Sequence, residues 1–186
     1  MPRRPRGELL NSLALRAKDG DKEAYGKLFR ECYKEIYAYV FWFSGNTWVA
    51  EDITMQVFAN GLAAIKNYDE KGFSVKAWFY RIAHNLVIDH FRKTKTTVDI
   101  DELPIVNTVD AEVEEIVSSR HEHERLLQEI RKLPICQSEV IILRFIEGLS
   151  TSETALVLGK AEPTVRVLQF KGIKRLKAVF TLDQER

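Results

Sequence analysis

Apolar residues recur at spacings of three and four along nearly the whole chain, and the alternation expected of strands is almost absent. The pattern predicts an all-α protein. After a break at Asp19-Gly20-Asp21, the residues Tyr25, Leu28, Phe29, Cys32, Ile36 and Tyr37 mark a long amphipathic helix ending near Gly45. Asn46-Thr47 offers an N-cap for a second helix carrying Val49, Ile53, Val57, Leu62 and Ile65. A loop from Asn67 to Ser74 separates it from a third, from about Val75 to Arg92. Farther on, one helix is expected from Arg120 to Lys132, stopped by Leu133-Pro134, and another from Ser138 to Glu147, stopped by Gly148. Ser150-Thr151-Ser152-Glu153 has the form of a capping box and should start a short helix to Leu158. The turn Gly159-Lys160-Ala161-Glu162 then leads into a last helix whose first turn can hold Pro163.

Charge divides this helical chain. The formal net charge is only +1, from 28 Lys and Arg against 27 Asp and Glu, so a uniformly basic coat is excluded. The basic residues cluster instead in two stripes. Lys76, Arg81, Arg92, Lys93 and Lys95 face only Asp89 within their stretch, and Lys160, Arg166, Lys171, Lys174, Arg175 and Lys177 face only Glu162. Between the stripes, Asp99, Asp101, Glu102, Asp110, Glu112, Glu114 and Glu115 occur with no Lys or Arg. This is the composition of a solvated linker. The expected organisation is two small helical domains, 1–95 and 120–186, joined by an acidic linker at 96–119. No apolar run approaches the roughly 18 residues needed to cross a bilayer, so no membrane insertion is expected. The N-terminal leucines are interrupted by Asn11 and Arg16, which gives no signal peptide, and Cys32 and Cys136 are expected as thiols in a cytoplasmic protein.

Advancing about 100° per residue along the third helix groups Phe79, Ile82, Ala83 and Leu86 on one arc and Trp78, Arg81, Asn85 and Arg92 on another. An indole beside guanidinium and carboxamide groups suits unstacked bases, because a flat ring stacks on any base and Asn bonds a base edge. The alternative is that Trp78 fills the core and the arginines are ordinary solvated charge. In the last helix, Val165, Leu168, Gly172, Leu176 and Val179 form an apolar stripe. Arg166, Val167, Phe170, Lys174 and Lys177 project opposite, and Lys171 belongs to the same basic stripe. Preceded by a short capped helix and a glycine turn, this is the pattern of a helix-turn-helix reader of the major groove, and otherwise that of a basic surface helix in a bundle.

Enzyme signals are weak. His121 and His123 point to different sides of a helix, and His84 and His90 lack a Cys or carboxylate at a recognisable ligand spacing. No phosphate-cradling glycine loop and no nucleophile motif occur. No catalytic residue, metal or cofactor is expected.

Several motifs in fixed order resemble the sigma factors of bacterial RNA polymerase, in the compact extracytoplasmic-function group that keeps only the second and fourth sigma domains. They are Ala50-Glu51-Asp52-Ile53 with Phe58, Trp78-Phe79-Tyr80-Arg81-Ile82-Ala83-His84-Asn85 continuing to Ile88-Asp89 and Arg92, and Leu133-Pro134. Glu147-Gly148-Leu149-Ser150, Glu153, Ala155, Leu158-Gly159 and Thr164-Val165-Arg166 complete the series. The resemblance implies a specificity subunit without catalytic chemistry. Asp52, Met55, Gln56 and Phe58 would then bind core RNA polymerase, whose clamp helices and flap are the implied contacts. Trp78, Arg81, Asn85 and Arg92 would engage and melt the minus-ten element, with the loop from Asn67 to Ser74 and Asn85 holding a flipped base. Arg166, Val167, Phe170, Lys171, Lys174 and Lys177 would read the minus-thirty-five element of promoter DNA, and the acidic linker would thread toward the polymerase cleft. An anti-sigma factor is a further implied partner. Met55-Gln56 stands where the family usually has Gln-Glu. That departure keeps open a helix-turn-helix regulator that never engages core enzyme, and the basic faces alone would also suit an adaptor for an acidic protein.

Overall fold

The computed structural model describes residues 6–69, 73–94 and 119–184, and among them every regular element is helical. The amino-terminal group comprises α1 (Arg6–Lys18), α2 (Lys22–Ser44), α3 (Thr47–Ala64) with a 3-10 turn at Ile65–Asn67, and α4 (Val75–Thr94). Local chemistry sets its boundaries. Asp21 accepts from the amide of Ala24 at 3.0 Å to start α2, and Gly45, in the left-handed region at φ 60°, ends it. Asn46 caps α3 through the amide of Val49 at 3.1 Å. α4 begins where Ser74 Oγ accepts from the amide of Ala77 at 3.2 Å and Asn11 Oδ1 accepts from the amide of Val75 at 2.9 Å.

The sequence pattern did not separate α1. Leu10, Leu13, Ala14 and Ala17 are buried against α2 and α4, and Asn11, which breaks the apolar run, is the residue that caps α4 across the fold. The core of this group is aromatic. Phe58 sits 4.8 Å from the ring of Phe29 and 5.0 Å from that of Phe79, and Tyr39 lies edge-on to Tyr80 at 5.1 Å. Ring pairs at such distances add stabilisation beyond their buried area.

The carboxyl-terminal group comprises α5 (Ser119–Arg131), α6 (Ile135–Ile141), α7 (Thr151–Leu158) and α8 (Glu162–Gln184). α6 starts directly after Pro134, earlier than the pattern predicts, and it gives way to a π-helical turn over Ile142–Ile146, closed by Glu147 N donating to Ile142 O at 2.9 Å. α5 and α6 pack with α7 around the buried part of α8. Gly172 allows α8 to approach α6 closely: a Cβ there would lie 3.1 Å from Ile141 Cγ1. The acidic linker expected at 96–119 falls, apart from Ser119, outside the described residues.

The two groups pack on each other, chiefly through α4 on α7. Tyr39 donates to Glu139 Oε1 at 2.5 Å, and His84 Nδ1 meets the same oxygen at 2.7 Å. Arg131 lies over the Trp42 ring at 4.7 Å. Lys76 Nζ reaches both the carbonyl and the carboxylate of Glu147, at 2.9 and 3.3 Å. No described helix is long and apolar enough to cross a membrane.

Candidate nucleic-acid and polymerase interfaces

On α3 the predicted polymerase-binding residues divide. Asp52 and Gln56 are exposed and joined, with Gln56 Nε2 donating to Asp52 Oδ2 at 2.7 Å, and Met55 is exposed beside them. Phe58 is not on that surface. It is 3% exposed and locked into the ring cluster of Phe29, Tyr33 and Phe79, because its turn of α3 faces α2 and α4. A surface contact by Phe58 is thereby corrected to a structural role that holds α3 in place. The sequence reading passed over Trp48, 80% exposed at the start of α3, and Leu62, 54% exposed near its end. With Met55 they recur every seven residues, so the helix presents an apolar line amid polar neighbours. That spacing was the available signal.

On α4 the wheel separates as expected for the polar residues: Arg81, Asn85 and Arg92 are exposed, and Phe79 and Ala83 are fully buried. Ile82 and Leu86 are half-buried rather than sealed in the core. Trp78 combines both readings of it. It is half-buried, with its ring 5.5 Å from Tyr68 and 5.2 Å from Phe79, so one side packs on the core and the remainder reaches the face shared with Arg81 and Asn85. Of the expected base pocket, residues 70–72 lie outside the described residues, and Phe73 and Ser74 are half-buried.

The helix-turn-helix is built by local capping. Glu153 N donates to Ser150 Oγ at 3.1 Å and Ser150 N donates to Glu153 Oε2 at 2.8 Å, a complete capping box that starts α7. Gly159, at φ 61°, ends α7 and turns the chain into α8. Val165 is fully buried, and Leu168 and Leu176 are partly buried against the core along the same side of α8. Arg166, Val167, Phe170, Lys171, Lys174 and Lys177 are all exposed, as a groove-reading face requires. Arg166 also pairs with Glu162 one turn earlier, at 3.0 Å. An exposed pair of this kind is weak and releases the guanidinium readily to a stronger partner.

Electrostatics tie the two faces together through Glu153. Burial pushes its carboxyl up, but hydrogen bonds from the Ser74 hydroxyl and from the Ser150 and Ser74 amides outweigh burial and hold it below its ordinary value. The Ser74 contacts are made to Oε1, at 2.5 Å from Oγ and 3.1 Å from N, so one carboxylate serves the first turn of both α7 and α4.

Residues 28–97 match the family model for sigma-70 region 2, and residues 123–176 match that for sigma-70 region 4. The chain is 32% identical to the ECF RNA polymerase sigma factor BldN of Streptomyces coelicolor across 92% of its own length, spanning 66% of that relative. It is 31% identical to the ECF RNA polymerase sigma factor SigW of Bacillus subtilis, across 86% of its length and 90% of SigW. The fold is similar to CnrH, solved in complex with the cytosolic domain of CnrY, with a TM-score of 0.67 at 23% identity over 94% of this chain and 99% of CnrH. It is likewise similar to the sigma factor RpoE of Bartonella quintana, solved with the anti-sigma factor NepR, at a TM-score of 0.67 and 19% identity over 86% of this chain and 98% of RpoE.

Proposed function

The chain belongs to the ECF sigma factors of RNA polymerase, and from that membership we propose that it binds core polymerase through α3 and brings the enzyme to promoters that it reads with α4 and α8. The observation that carries the reading is the pairing, on one chain, of an exposed Arg81, Asn85 and Arg92 face on α4 with a capped helix-turn-helix whose α8 exposes Arg166, Val167, Phe170, Lys171, Lys174 and Lys177. The first suits bases taken out of a duplex, since an exposed amide and a partly exposed indole share one face of α4, two turns apart. The second suits base edges and phosphates of an intact major groove. In this reading the amino-terminal domain acts at the minus-ten element and the carboxyl-terminal domain at the minus-thirty-five element. Asp52, Met55 and Gln56 contact polymerase, and Trp48 and Leu62 extend that contact along α3. The protein adds no catalytic chemistry of its own and works in the cytoplasm with the polymerase. An anti-sigma factor is a natural third partner, because RpoE, of similar fold, was solved with one.

Run-off transcription from genomic fragments, with core polymerase and the purified protein, tests the proposal directly. A discrete start site dependent on the protein is expected. Met55 and Gln56 favour a second reading, a DNA-binding regulator that leaves core enzyme alone. Gel filtration of the protein with core polymerase at micromolar concentration separates the two, since only the first predicts co-elution.

A further inference from the structure

Val165, Leu168, Gly172 and Leu176 seat α8 on the rest of its domain, so the fold needs no apolar residue on the outward side of that helix. Yet Val167 is 51% and Phe170 67% exposed there. Single exposed apolar residues are ordinary on a protein surface, but these two share a face with Arg166, Lys171, Lys174 and Lys177. At about 100° per residue, Phe170 stands about 40° round the helix from Arg166 and about 60° from Val167, and the three span about 6 Å along the axis. A span of that size covers about two neighbouring base pairs, at about 3.4 Å each.

The polar chemistry of this face is one-sided. Arg166 and the three lysines only donate hydrogen bonds, so in a major groove they meet acceptors, chiefly guanine edges and phosphate oxygens. Two-handed reading of adenine requires an amide, and cytosine requires an acceptor. The nearby amide of Gln169 is half-buried, and its oxygen accepts from Arg144 Nε at 3.2 Å. The carboxylate of Glu162 is taken by Arg166 at 3.0 Å. Beyond guanine, this face discriminates bases by apolar contact, and in the major groove the apolar group that meets such side chains is the C5 methyl of thymine. An aromatic ring and an isopropyl group gain by covering that methyl. Over another base they would strip water from donors and acceptors without replacing it.

We propose that Val167 and Phe170 make the upstream promoter element thymine-specific, each covering one thymine C5 methyl within about two base pairs of the guanine taken by Arg166. The proposal rests on the sigma-factor reading above and names what α8 discriminates within it. Lys171, Lys174 and Lys177 hold the helix to the phosphates and add affinity without sequence preference. Val167 and Phe170 are thereby specificity-determining residues, and DNA rather than packing accounts for two apolar side chains that the fold leaves in water.

Deoxyuridine pairs as thymidine does and lacks only the methyl, so it isolates this contact. Holoenzyme assembled from core polymerase and the full chain is bound to a promoter fragment mapped by run-off transcription. Thymidines of its upstream element, on either strand, are replaced one at a time by deoxyuridine. In competition binding the wild type should weaken about fourfold at two positions, the loss expected for one buried methyl group at each, and little elsewhere. Val167→Ala and Phe170→Ala should bind the thymidine fragment more weakly, and each should lose the discrimination at a different one of those positions. Phe170→Leu should retain part of it. Both residues are exposed, so the variants should keep wild-type helix content by circular dichroism and wild-type binding to core polymerase. Wild-type binding that is unchanged by deoxyuridine across the element would overturn the proposal, and that arm needs no variant to fold. Variants that discriminate thymidine from deoxyuridine as the wild type does would overturn it as well. In either case a protein-dependent transcript leaves the sigma-factor reading intact. Absence of a transcript from every fragment would overturn that reading and the methyl assignment with it.

Discussion

Gly61 of α3 lies against the ring of Phe79 on α4 so closely that a Cβ on the glycine would sit 2.8 Å from Phe79 Cε1 and 2.8 Å from the Tyr25 hydroxyl. That hydroxyl donates to Phe58 O at 2.5 Å, so it cannot swing away without losing a buried hydrogen bond. Glycine inside a helix is ordinarily worse than alanine by about 1 kcal/mol. Here the sign reverses, because overpacking of about 1–3 kcal/mol exceeds the gain in propensity. Gly61→Ala should lower the denaturation midpoint.

Gly26, inside α2, provides the contrast on the same protein. A Cβ there meets only Arg30 Nη1, at 3.7 Å, which is ordinary contact with the end of a flexible side chain. Gly26→Ala should therefore stabilise the fold by up to about 1 kcal/mol. Urea titration of both variants checks the pair, and stabilisation by Gly61→Ala would show that α3 and α4 are less tightly apposed than described.

These two glycines also show where sequence pattern stops being informative. The caps Asn46 and Ser150 were legible because a cap is a contact between a side chain and the backbone three residues away. The apolar stripe under α8 and the exposed Arg166 and Lys174 face were legible because one helix defines both. Burial of Phe58 was not, since the helix wheel says which residues share a side and not which side meets α2 and α4. Asn11 was misleading for the same reason: it interrupts the apolar run of α1 because its amide oxygen caps a helix 64 positions away. Glu139 reads as a surface charge on a short helix until Tyr39 and His84 are brought to it from the other domain.

Trp78 and Asn85 should separate stability from melting. Asn85 is exposed, so Asn85→Ala should change stability by less than about 0.5 kcal/mol. Trp78 rests on Tyr68 and Phe79, and Trp78→Ala should destabilise by less than the roughly 3–5 kcal/mol of a fully buried Trp, yet measurably. Both variants should leave polymerase binding intact and reduce open complexes. Thermal denaturation beside permanganate footprinting of unpaired thymines checks this, and full reactivity with a folded Asn85→Ala protein would remove Asn85 from the base pocket.

On α8, Arg166 and Lys174 should differ in kind. Arg166 stands in the first turns of the exposed face, where a guanidinium can fork onto a guanine edge, so Arg166→Ala should cost about 1–3 kcal/mol and relax preference at one base pair. Lys174→Ala should weaken cognate and scrambled duplexes alike and reduce the salt slope of binding by about 0.9, as loss of one phosphate contact does. Fluorescence anisotropy across a salt series reads both. Equal losses on the two duplexes for Arg166→Ala would reassign it to the phosphate backbone.

Acid should loosen the protein through Glu35. Burial raises its carboxyl, but hydrogen bonds from Arg6 and Lys76, helped by their charges, hold it below the ordinary value of 4.5. The folded state therefore binds this proton less readily than the unfolded chain. Its contribution is fully present above the ordinary carboxylate range, begins to fall as the pH drops toward 4.5, and is lost as the pH passes through the lowered folded value. Glu153, depressed by its hydrogen bonds from Ser74 and Ser150, adds to the slope in the same direction. Glu35→Gln should lower stability at neutral pH and flatten the acid limb of a plot of melting temperature against pH. Lys76 would still hold Glu147, and Arg6 would still face Glu31, so the loss should be partial. An acid limb as steep in Glu35→Gln as in the wild type would show that other carboxylates set the acid sensitivity, and that the Arg6, Glu35 and Lys76 group stabilises the fold independently of its charge.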